Sequence, residues 1–215
     1  MSTARLYTIL DLGYVSEADA VSVTASLLAG GAEILQLRAK TYDLATIERV
    51  ARKLLPLCRV AGVPFILNDH PALASAIGAD GVHIGQEDGS FPQARRLLGE
   101  GKLIGRSTHS LAQARAAFAE GFDYIGFGPL FPTPTKAGRP AIGLQEIATM
   151  QREIGEKIPA FCIGGITPET LPQVLAAGAR RVVIVSALLQ AENAESATLR
   201  IKAALNGELG NRNAE

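Results

Sequence analysis

Eight short apolar segments recur along this 215-residue chain and alternate with stretches of helical spacing. The apolar segments are LYTILD, EILQLR, PFILND, DGVHIG, KLIGRS, YIGFGP, PAFCIG and VVIVSA. Short continuous apolar runs of this kind are typical of parallel strands that are covered by helices. The stretches between them carry apolar residues three and four positions apart, as in residues 18–28, 44–57, 111–118 and 171–177. The pattern therefore predicts eight strand–helix units.

Glycines mark the junctions between the predicted helices and the strands that follow them. Gly31, Gly78, Gly121 and Gly178 lie at such junctions, where a left-handed helix terminus favours glycine. Eight units close naturally into a single-domain (β/α)8 TIM barrel, for which roughly 200 to 400 residues are usual. We expect one barrel domain over residues 1–207 and a frayed tail over residues 208–215. A doubly wound open sheet is the alternative α/β fold, but no glycine-rich fingerprint follows the first predicted strand.

The composition excludes several classes of partner. Hydrophobic residues make up 47% of the chain, which is ample for a core, and 21 acidic residues balance 21 basic ones. A nucleic-acid-binding or anionic-membrane-binding protein would need a basic excess. No apolar stretch approaches the roughly 18 residues that span a bilayer, and the N-terminus does not have the pattern of a signal peptide. We therefore expect a cytoplasmic protein.

The two cysteines and two of the three histidines are expected to have structural roles. Cys58 falls in a predicted helix and Cys162 in a predicted strand, and neither has metal-ligand spacing to another residue. Both are expected to be buried as small apolar residues. His70 precedes Pro71 in a turn and His83 lies within a strand, without a second histidine at ligand spacing.

Polar residues accumulate at the carboxyl ends of the predicted strands, where barrel active sites form. In the second strand, the two-residue period places Gln36 and Arg38 on one face, toward the barrel interior, and Lys40 just beyond the strand. A buried arginine without a function would need a buried carboxylate as its partner, and this salt bridge is the alternative explanation of Arg38. An anion-binding role for Arg38 is our preferred interpretation.

Carboxylates at the next two strand ends predict a metal site. Asn68 and Asp69 end the third apolar run, and Gln86, Glu87 and Asp88 follow the fourth. Mg²⁺ binds through one or two carboxylates together with substrate phosphate oxygens. Loop capping explains a single aspartate equally well, and general acid/base chemistry is an alternative for the pair. Two aspartates at adjacent strand ends, beside basic and amide groups, favour a metal–diphosphate site.

The fifth and sixth strand ends add hydroxyl and cationic groups. Ser107, Thr108 and His109 follow the fifth strand, and the long loop GPLFPTPTKAGRP follows the sixth. This loop contains Lys136 and Arg139 together with four prolines, which reduce the entropy lost when a closing loop becomes ordered. An ordinary surface loop with turn-forming prolines is the alternative.

The last two strand ends are suited to phosphate. Gly164, Gly165 and Ile166 follow the seventh strand, and Val185, Ser186 and Ala187 follow the eighth. Loops at these positions of a barrel commonly bind phosphate through backbone N–H groups. A tight turn that needs positive φ is the alternative explanation of the glycine pair. The predicted site can therefore accept two phosphate-bearing ligands.

Seven segments together carry a family resemblance. They are QLRAK at Gln36 to Lys40, ND at Asn68 and Asp69, HIGQED ending at Asp88, Ser107, PTPTK ending at Lys136, GGI at Gly164 to Ile166, and VS at Val185 and Ser186. Each segment alone is a weak signal, but the set is specific and covers nearly the whole chain. The chain resembles the thiamine-phosphate synthase family, which joins the pyrimidine and thiazole halves of thiamine.

The resemblance implies a transferase. Hydroxymethylpyrimidine would pass from its diphosphate to the ring nitrogen of a thiazole phosphate, plain or carboxylated, giving thiamine phosphate and pyrophosphate. By position, the resemblance assigns Mg²⁺ to Asp69 and Asp88. It assigns the pyrimidine diphosphate to Gln36, Arg38, Lys40, Asn68, Ser107 and Lys136, of which Arg38, Lys40, Ser107 and Lys136 form the catalytic set. It assigns the thiazole phosphate to Thr133, Thr135, Gly165, Val185 and Ser186, while Leu37, Ala39 and Pro134 complete the substrate-binding segments.

Two residues depart from the family pattern, and two other functions remain open. Ala39 replaces the glutamate of the usual QLREK, and Arg106 stands where a small or apolar residue is more usual. A related barrel family acts as a thiazole tautomerase, in which His109 could serve as acid or base. A non-catalytic sensor of a phosphorylated thiamine precursor is the third possibility. A homo-oligomer is compatible with the sequence but is not specified by it.

Overall fold

The eight predicted apolar segments form a closed barrel of parallel strands in the computed structural model, which describes residues 1–133 and 140–212. Each strand pairs with the next one in the chain, and β8 pairs with β1. The strands are β1 Leu6–Asp11, β2 Ile34–Arg38, β3 Phe65–Asn68, β4 Gly81–Ile84, β5 Leu103–Thr108, β6 Tyr124–Phe127, β7 Ala160–Ile163 and β8 Val182–Ile184. The predicted (β/α)8 TIM barrel is confirmed, and closure rules out the open sheet.

Helices follow the strands and surround the barrel. They are α1 Ala20–Ala29, α2 Leu44–Ala61, α3 Pro71–Ile77, α4 Phe91–Leu98, α5 Leu111–Glu120, α6 Ile147–Met150, α7 Leu171–Ala176, α8 Ser186–Leu189 and α9 Ala194–Arg212. A π-helical turn, Gln151–Gly155, continues α6. Helix α9 includes residues 208–212, which we expected in the frayed tail, while residues 213–215 lie outside the described part of the chain.

Helix α2 illustrates why these stretches become helical. The Asp43 carboxylate accepts a hydrogen bond from the backbone N–H of Thr46, and so satisfies one of the unpaired donors at the helix start. Gly62 ends the helix in the left-handed conformation, with φ 67°. Between these caps, the residues that face the strands are Ile47, Val50, Ala51, Leu54, Leu55 and Cys58, all buried. Burial of this apolar face packs the helix against the barrel strands.

The junction glycines have the conformation that their positions predict. Gly31, Gly78, Gly121 and Gly178 all have positive φ, between 71° and 102°. A residue with a side chain is disfavoured in this region, since Cβ approaches the following carbonyl oxygen. The sequence pattern at these positions therefore reflects a real backbone requirement.

The barrel interior below the strand ends is filled by aromatic side chains. Tyr7, Tyr124 and Phe161 are completely or almost completely buried there, and Phe161 meets both tyrosine rings edge to face, with centroids 5.4 and 6.2 Å apart. Gly105 makes room for this cluster, because a Cβ at that position would lie 2.0 Å from the Tyr124 ring. The cluster forms a floor below the strand ends, and its rings line a small internal cavity.

Cys58 and Cys162 are free thiols and are buried, as expected. Burial raises the pKa of each thiol to about 12. Among the described residues, none of the helices combines the length and the apolar character that crossing a bilayer requires.

Candidate active site

Two adjoining clefts open at the carboxyl ends of the strands, and between them they gather every predicted site residue that the structure describes. The first, which we call the larger cleft, contains about 720 Å³ of empty space when the solvent at its mouth is included, and its predicted residues are Gln36, Arg38, Asn68, Ser107, Thr133, Gly165, Val185 and Ser186. The second, which we call the smaller cleft, contains about 630 Å³ on the same basis, and its predicted residues are Leu37, Ala39, Lys40, Asn68, Asp69 and Asp88. Asn68 lines both clefts. Predicted residues Pro134, Thr135 and Lys136, and the neighbouring Arg139, lie outside the described residues.

Arg38 has the carboxylate partner that we considered as the alternative explanation of a buried arginine. Its Nη1 lies 2.5 Å from Oδ2 of Asp11, which is only 2% exposed. Asp11 also accepts the N–H of Gly13 at 2.9 Å, so this carboxylate is anchored at the end of β1. The ion pair does not remove Arg38 from the site, because Arg38 also lines the larger cleft. Asp11 therefore holds the guanidinium at the cleft wall.

A chain of hydrogen bonds crosses the floor of the larger cleft. Gln36 Nε2 donates to the Tyr7 hydroxyl at 2.7 Å, and the hydroxyls of Tyr7 and Tyr124 are 3.1 Å apart. The Tyr124 hydroxyl lies 3.2 Å from Nδ1 of His83, whose Nε2 lies 2.9 Å from Oγ of Ser107. Burial raises the pKa of both tyrosines, so both hydroxyls keep their protons at neutral pH. The chain thus connects two predicted substrate-binding residues, Gln36 and Ser107.

Three residues of this hydrogen-bond network are not among the predicted site residues. His83 was assigned a structural role, and Tyr7 and Tyr124 were counted only within apolar strands. One signal could have identified His83: it alternates with the buried Val82 and Ile84, so its side chain points into the barrel. His83 lines the larger cleft, whereas the two tyrosines lie below it and line a smaller cavity of about 280 Å³.

Asp69 and Asp88 converge on one ammonium group. Lys40 Nζ lies 2.5 Å from Oδ2 of Asp69 and 3.8 Å from Oδ2 of Asp88. Asp69 follows β3 directly and has φ 65°, the only positive φ of a non-glycine residue in the described part of the chain. Its N–H donates to the His83 carbonyl at 2.9 Å, which ties this conformation to the neighbouring strand.

The charge balance at the two carboxylates suits a further cation. Burial is the largest influence on Asp69 and raises its pKa; the Lys40 ammonium opposes this shift, and the Asp88 carboxylate adds to it. No group of three or more histidine, cysteine, aspartate or glutamate residues with metal-binding geometry occurs among the described residues. Two carboxylates are nevertheless the usual protein contribution to a Mg²⁺ site that also uses phosphate oxygens. The donor set therefore fits a hard divalent cation bound together with a phosphorylated ligand.

The opposite side of the larger cleft is formed by closely packed backbone. Gly164 and Gly165 have φ 101° and 65°, as the tight-turn explanation requires. A Cβ on Gly164 would lie 2.5 Å from Pro129, and one on Gly165 would lie 2.6 Å from Phe131. The glycine pair thus adopts the positive φ of a tight turn and also allows close approach of the loop after β6, while phosphate binding by its backbone stays a prediction.

His109 lies at the same cleft, after β5. Its Nδ1 is 2.5 Å from the carbonyl oxygen of Gly128, and its backbone N–H donates to Oε1 of Gln113. A ring nitrogen that bonds a carbonyl carries the proton, so Nε2 of neutral His109 is the unprotonated nitrogen.

Comparison with known proteins identifies the family. A family model described as thiamine monophosphate synthase matches residues 6–188. The thiamine-phosphate synthase of Thermus thermophilus is 47% identical over 184 residues, which cover 86% of this chain and 88% of the relative. That of Shouchella clausii is 38% identical, with 95% and 98% of the two chains covered.

A solved structure agrees with this result. The thiamine phosphate pyrophosphorylase from Pyrococcus furiosus superimposes with a TM-score of 0.85 at 31% sequence identity, and the match covers 95% of this chain and 96% of that one. The resemblance inferred from the seven sequence segments is thereby confirmed. The chain belongs to the thiamine monophosphate synthase family.

Proposed function

We propose that this protein is a thiamine-phosphate synthase, a transferase that joins a pyrimidine diphosphate to a thiazole phosphate and releases pyrophosphate. One observation carries the proposal: two clefts that share Asn68 adjoin at the strand ends, and one of them contains paired carboxylates beside an ammonium group. This arrangement suits a substrate whose diphosphate lies in one cleft and whose ring lies in the other. The relatives named above carry the same activity in their names, which favours the transferase over the tautomerase and the sensor.

We assign the smaller cleft to the diphosphate. Asp69 and Asp88 would hold Mg²⁺, whose charge would stabilise the departing pyrophosphate. Lys40 supplies a fixed positive charge between the two carboxylates, and Lys136 is assigned the same role from the family resemblance. Asn68 lines this cleft and Arg38 lines the adjoining larger one, and both can donate hydrogen bonds to phosphate oxygens.

We assign the floor of the larger cleft to the aminopyrimidine ring. Gln36 uses one amide hydrogen on Tyr7, so its orientation is set before a ligand arrives. An amide carbonyl in a set orientation is a suitable acceptor for an exocyclic amino group. Ser107 is oriented by His83 in the same way, at the other end of the hydrogen-bond chain.

The thiazole phosphate is assigned to the far wall of the larger cleft. Thr133, Gly165, Val185 and Ser186 line that wall, and Thr135 is assigned to the same ligand from the family resemblance. Ser186 begins the single-turn helix α8, in which the N–H groups of Leu188 and Leu189 donate to the Val185 carbonyl and those of Ser186 and Ala187 precede the first helical hydrogen bond. These groups can bind an anion without a charged side chain.

The chemistry then requires positioning and charge rather than a protein nucleophile. An electron-rich aminopyrimidine can carry the positive charge that develops when the diphosphate leaves. The thiazole nitrogen needs to be held in line with the methylene carbon. The floor of buried aromatic residues keeps water away from that cation on one side. Fixed cations around the diphosphate lower the barrier because they match the charge that grows on it.

The direct test is product formation by purified protein with the pyrimidine diphosphate, the thiazole phosphate and Mg²⁺. Thiamine phosphate and an equal amount of pyrophosphate are expected, and a chelator should abolish both. Asp69→Ala, Asp88→Ala and Lys136→Ala should each lower turnover by at least about tenfold. Glu48→Ala, which removes an exposed carboxylate on α2, is the control and should keep full activity.

Single-substrate reactions separate the alternatives. Turnover of thiazole phosphate alone would indicate a tautomerase, and ligand binding without any product would indicate a sensor. Preference for the plain or the carboxylated thiazole follows from the relative kcat/KM values. A cytoplasmic location and a homo-oligomeric state remain part of the proposal, and fractionation and light scattering test them.

A further inference from the structure

Arg106 is a buried arginine that the reaction described above does not use. It lies in β5 next to Ser107, and alternation along the strand directs its side chain away from the barrel interior, toward the helix layer. It is 9% exposed, and its guanidinium lies over the Phe122 ring with 5.2 Å to the ring centroid. No carboxylate of the described residues forms an ion pair with it. Since an unpartnered buried charge is costly, other groups must stabilise it.

Backbone carbonyls of a single loop take that role. Nη1 of Arg106 donates to the carbonyl oxygens of Gly85 at 2.9 Å and Gly89 at 2.8 Å. Nη2 donates to the carbonyl oxygen of Gln86 at 3.2 Å. The loop that connects β4 to α4 is thus held from its first residue to Gly89 by one planar group.

The same loop presents Asp88. The Gly85 N–H donates to Oδ2 of Asp88 at 2.9 Å, and the Asp88 N–H donates back to the Gly85 carbonyl at 3.3 Å. The Gly85 carbonyl therefore accepts bonds from both Asp88 and Arg106. Gly89 has φ 115°, a conformation that glycine reaches without strain but does not enforce. Arg106 supplies the restraint that a loop bounded by two glycines lacks.

We propose that Arg106 is a positioning residue that holds the Gly85–Gly89 loop so that the Asp88 carboxylate faces Asp69 and Lys40. The inference rests on the proposed function for what Asp88 then binds, a divalent cation together with a diphosphate. Arg106 itself touches neither cleft. Its rigid guanidinium donates to three carbonyls from two nitrogens in a fixed geometry, which a lysine ammonium on a flexible stem does not reproduce.

Arg95 provides a matched control elsewhere in the same barrel. Its Nη1 donates to the carbonyls of Gly99 and Lys102, at 3.1 and 2.7 Å, and its Nη2 pairs with Asp123. It also lies against an aromatic ring, that of Phe91, with 5.3 Å to the centroid. The loop that it holds precedes β5 and so lies at the amino end of the barrel, away from the clefts. Arg95→Met removes a comparable set of contacts, none of which is a hydrogen bond to the Gly85–Gly89 loop.

The first measurement is hydrogen–deuterium exchange of the metal-free protein, which does not depend on activity. In Arg106→Met, the amides of Gly85 and Asp88, which donate hydrogen bonds within the loop, are expected to exchange about tenfold faster than in wild type. In Arg95→Met they should exchange at the wild-type rate. Arg106→Lys keeps the charge, and its loop amides are expected to exchange at a rate between those of wild type and Arg106→Met. If Arg106→Met does not fold, the exchange rate of Arg106→Lys tests the proposal.

The second measurement is Mn²⁺ binding in the presence of inorganic pyrophosphate, followed by electron paramagnetic resonance. Loss of a group that orients a metal ligand typically weakens metal affinity by about 10- to 100-fold, and we expect a value near the lower end for Arg106→Met. Arg95→Met should bind as wild type does. Unchanged loop exchange in both Arg106 variants would overturn the proposal, and so would faster exchange with unchanged Mn²⁺ affinity. Failure of the proposed function would instead appear in wild type, as absence of product.

Discussion

Replacing Asp69 by asparagine should make the protein more stable near neutral pH while it abolishes turnover. The Asp69 carboxylate is largely buried and lies next to Asp88, and burial raises its pKa above the ordinary value of 3.8. The charged form is therefore disfavoured in the native state, and Lys40 offsets this only in part. An asparagine has nearly the same shape and carries no charge. The charge on Asp69 that turnover requires is thus expected to lower the stability of the native protein.

The pH dependence has a definite sign. Because the native pKa of Asp69 is raised, the native state binds this proton more tightly than the unfolded chain does. The stability that this group contributes is fully present below pH 3.8, is lost as the pH rises toward the native pKa, and stays lost above it. The free energy of unfolding of Asp69→Asn should therefore exceed that of wild type by an amount that increases as the pH rises above 3.8 and becomes constant above the native pKa of Asp69. Each unit of pKa elevation corresponds to about 1.4 kcal/mol.

The backbone at this position adds a second, pH-independent contribution. Asp69 has φ 65°, where asparagine and aspartate are tolerated and a Cβ-bearing residue without a polar side chain costs about 1–2 kcal/mol. Asp69→Ala also lacks the charge, but it should be less stable than Asp69→Asn by about 1 kcal/mol at every pH. The pair of variants thereby separates the charge effect from the backbone effect.

The assay is urea unfolding of wild type and both variants between about pH 4 and pH 8. Titrating groups away from Asp69 are shared and cancel in the difference between two proteins, whereas Asp88 and Lys40 interact with Asp69 and contribute to that difference. An advantage of Asp69→Asn that did not change with pH would refute the electrostatic argument. If wild type instead became more stable than Asp69→Asn as the pH rose, the pKa of Asp69 would be lowered rather than raised. Lys40 would then have a larger effect on this pKa than burial has.

Three further predictions concern the site walls and the core. Arg38→Ala leaves its buried carboxylate partner unpaired and should lower the free energy of unfolding by about 3 kcal/mol, as measured by urea denaturation; a loss below about 1 kcal/mol would contradict a buried pair. Tyr7→Phe and Tyr124→Phe should not be additive, with a coupling energy of about 1 kcal/mol in a double-mutant cycle. Strict additivity would mean that the two hydroxyls do not interact. Burial raises the pKa of both Cys58 and Cys162 to about 12, so a thiol reagent at neutral pH should label them only on unfolding; rapid labelling of the native protein would place a thiol at the surface.

The residues that sequence reasoning located best are those whose position depends on local periodicity. Eight apolar runs predicted eight strands, and alternation along β2 directed Gln36 and Arg38 toward the cleft. Because parallel strands in a barrel all end at one rim, polar residues at successive strand ends could be assigned to one site before any contact was known. The described site residues of the family resemblance lie there.

Sequence reasoning was weaker where a role depends on a partner far along the chain. The Tyr7–Tyr124 contact joins residues 117 positions apart, and the Tyr124–His83 contact joins residues 41 apart. Neither tyrosine differs, by local pattern, from an ordinary core aromatic residue. Their hydroxyls meet only because the barrel closes and brings inward-facing side chains of β1 and β6 together in its interior.

By itself, the sequence determined the number and order of the strands, the end of the barrel at which the site lies, and the family. These depend on spacing along the chain, which hydrophobic burial converts directly into elements and faces. The tertiary structure alone decided that Asp11 partners Arg38, that Lys40 lies between the two aspartates, and that Arg106 holds the loop of Asp88. Such pairings follow from strand register and barrel closure, because these place side chains from distant segments within hydrogen-bonding distance.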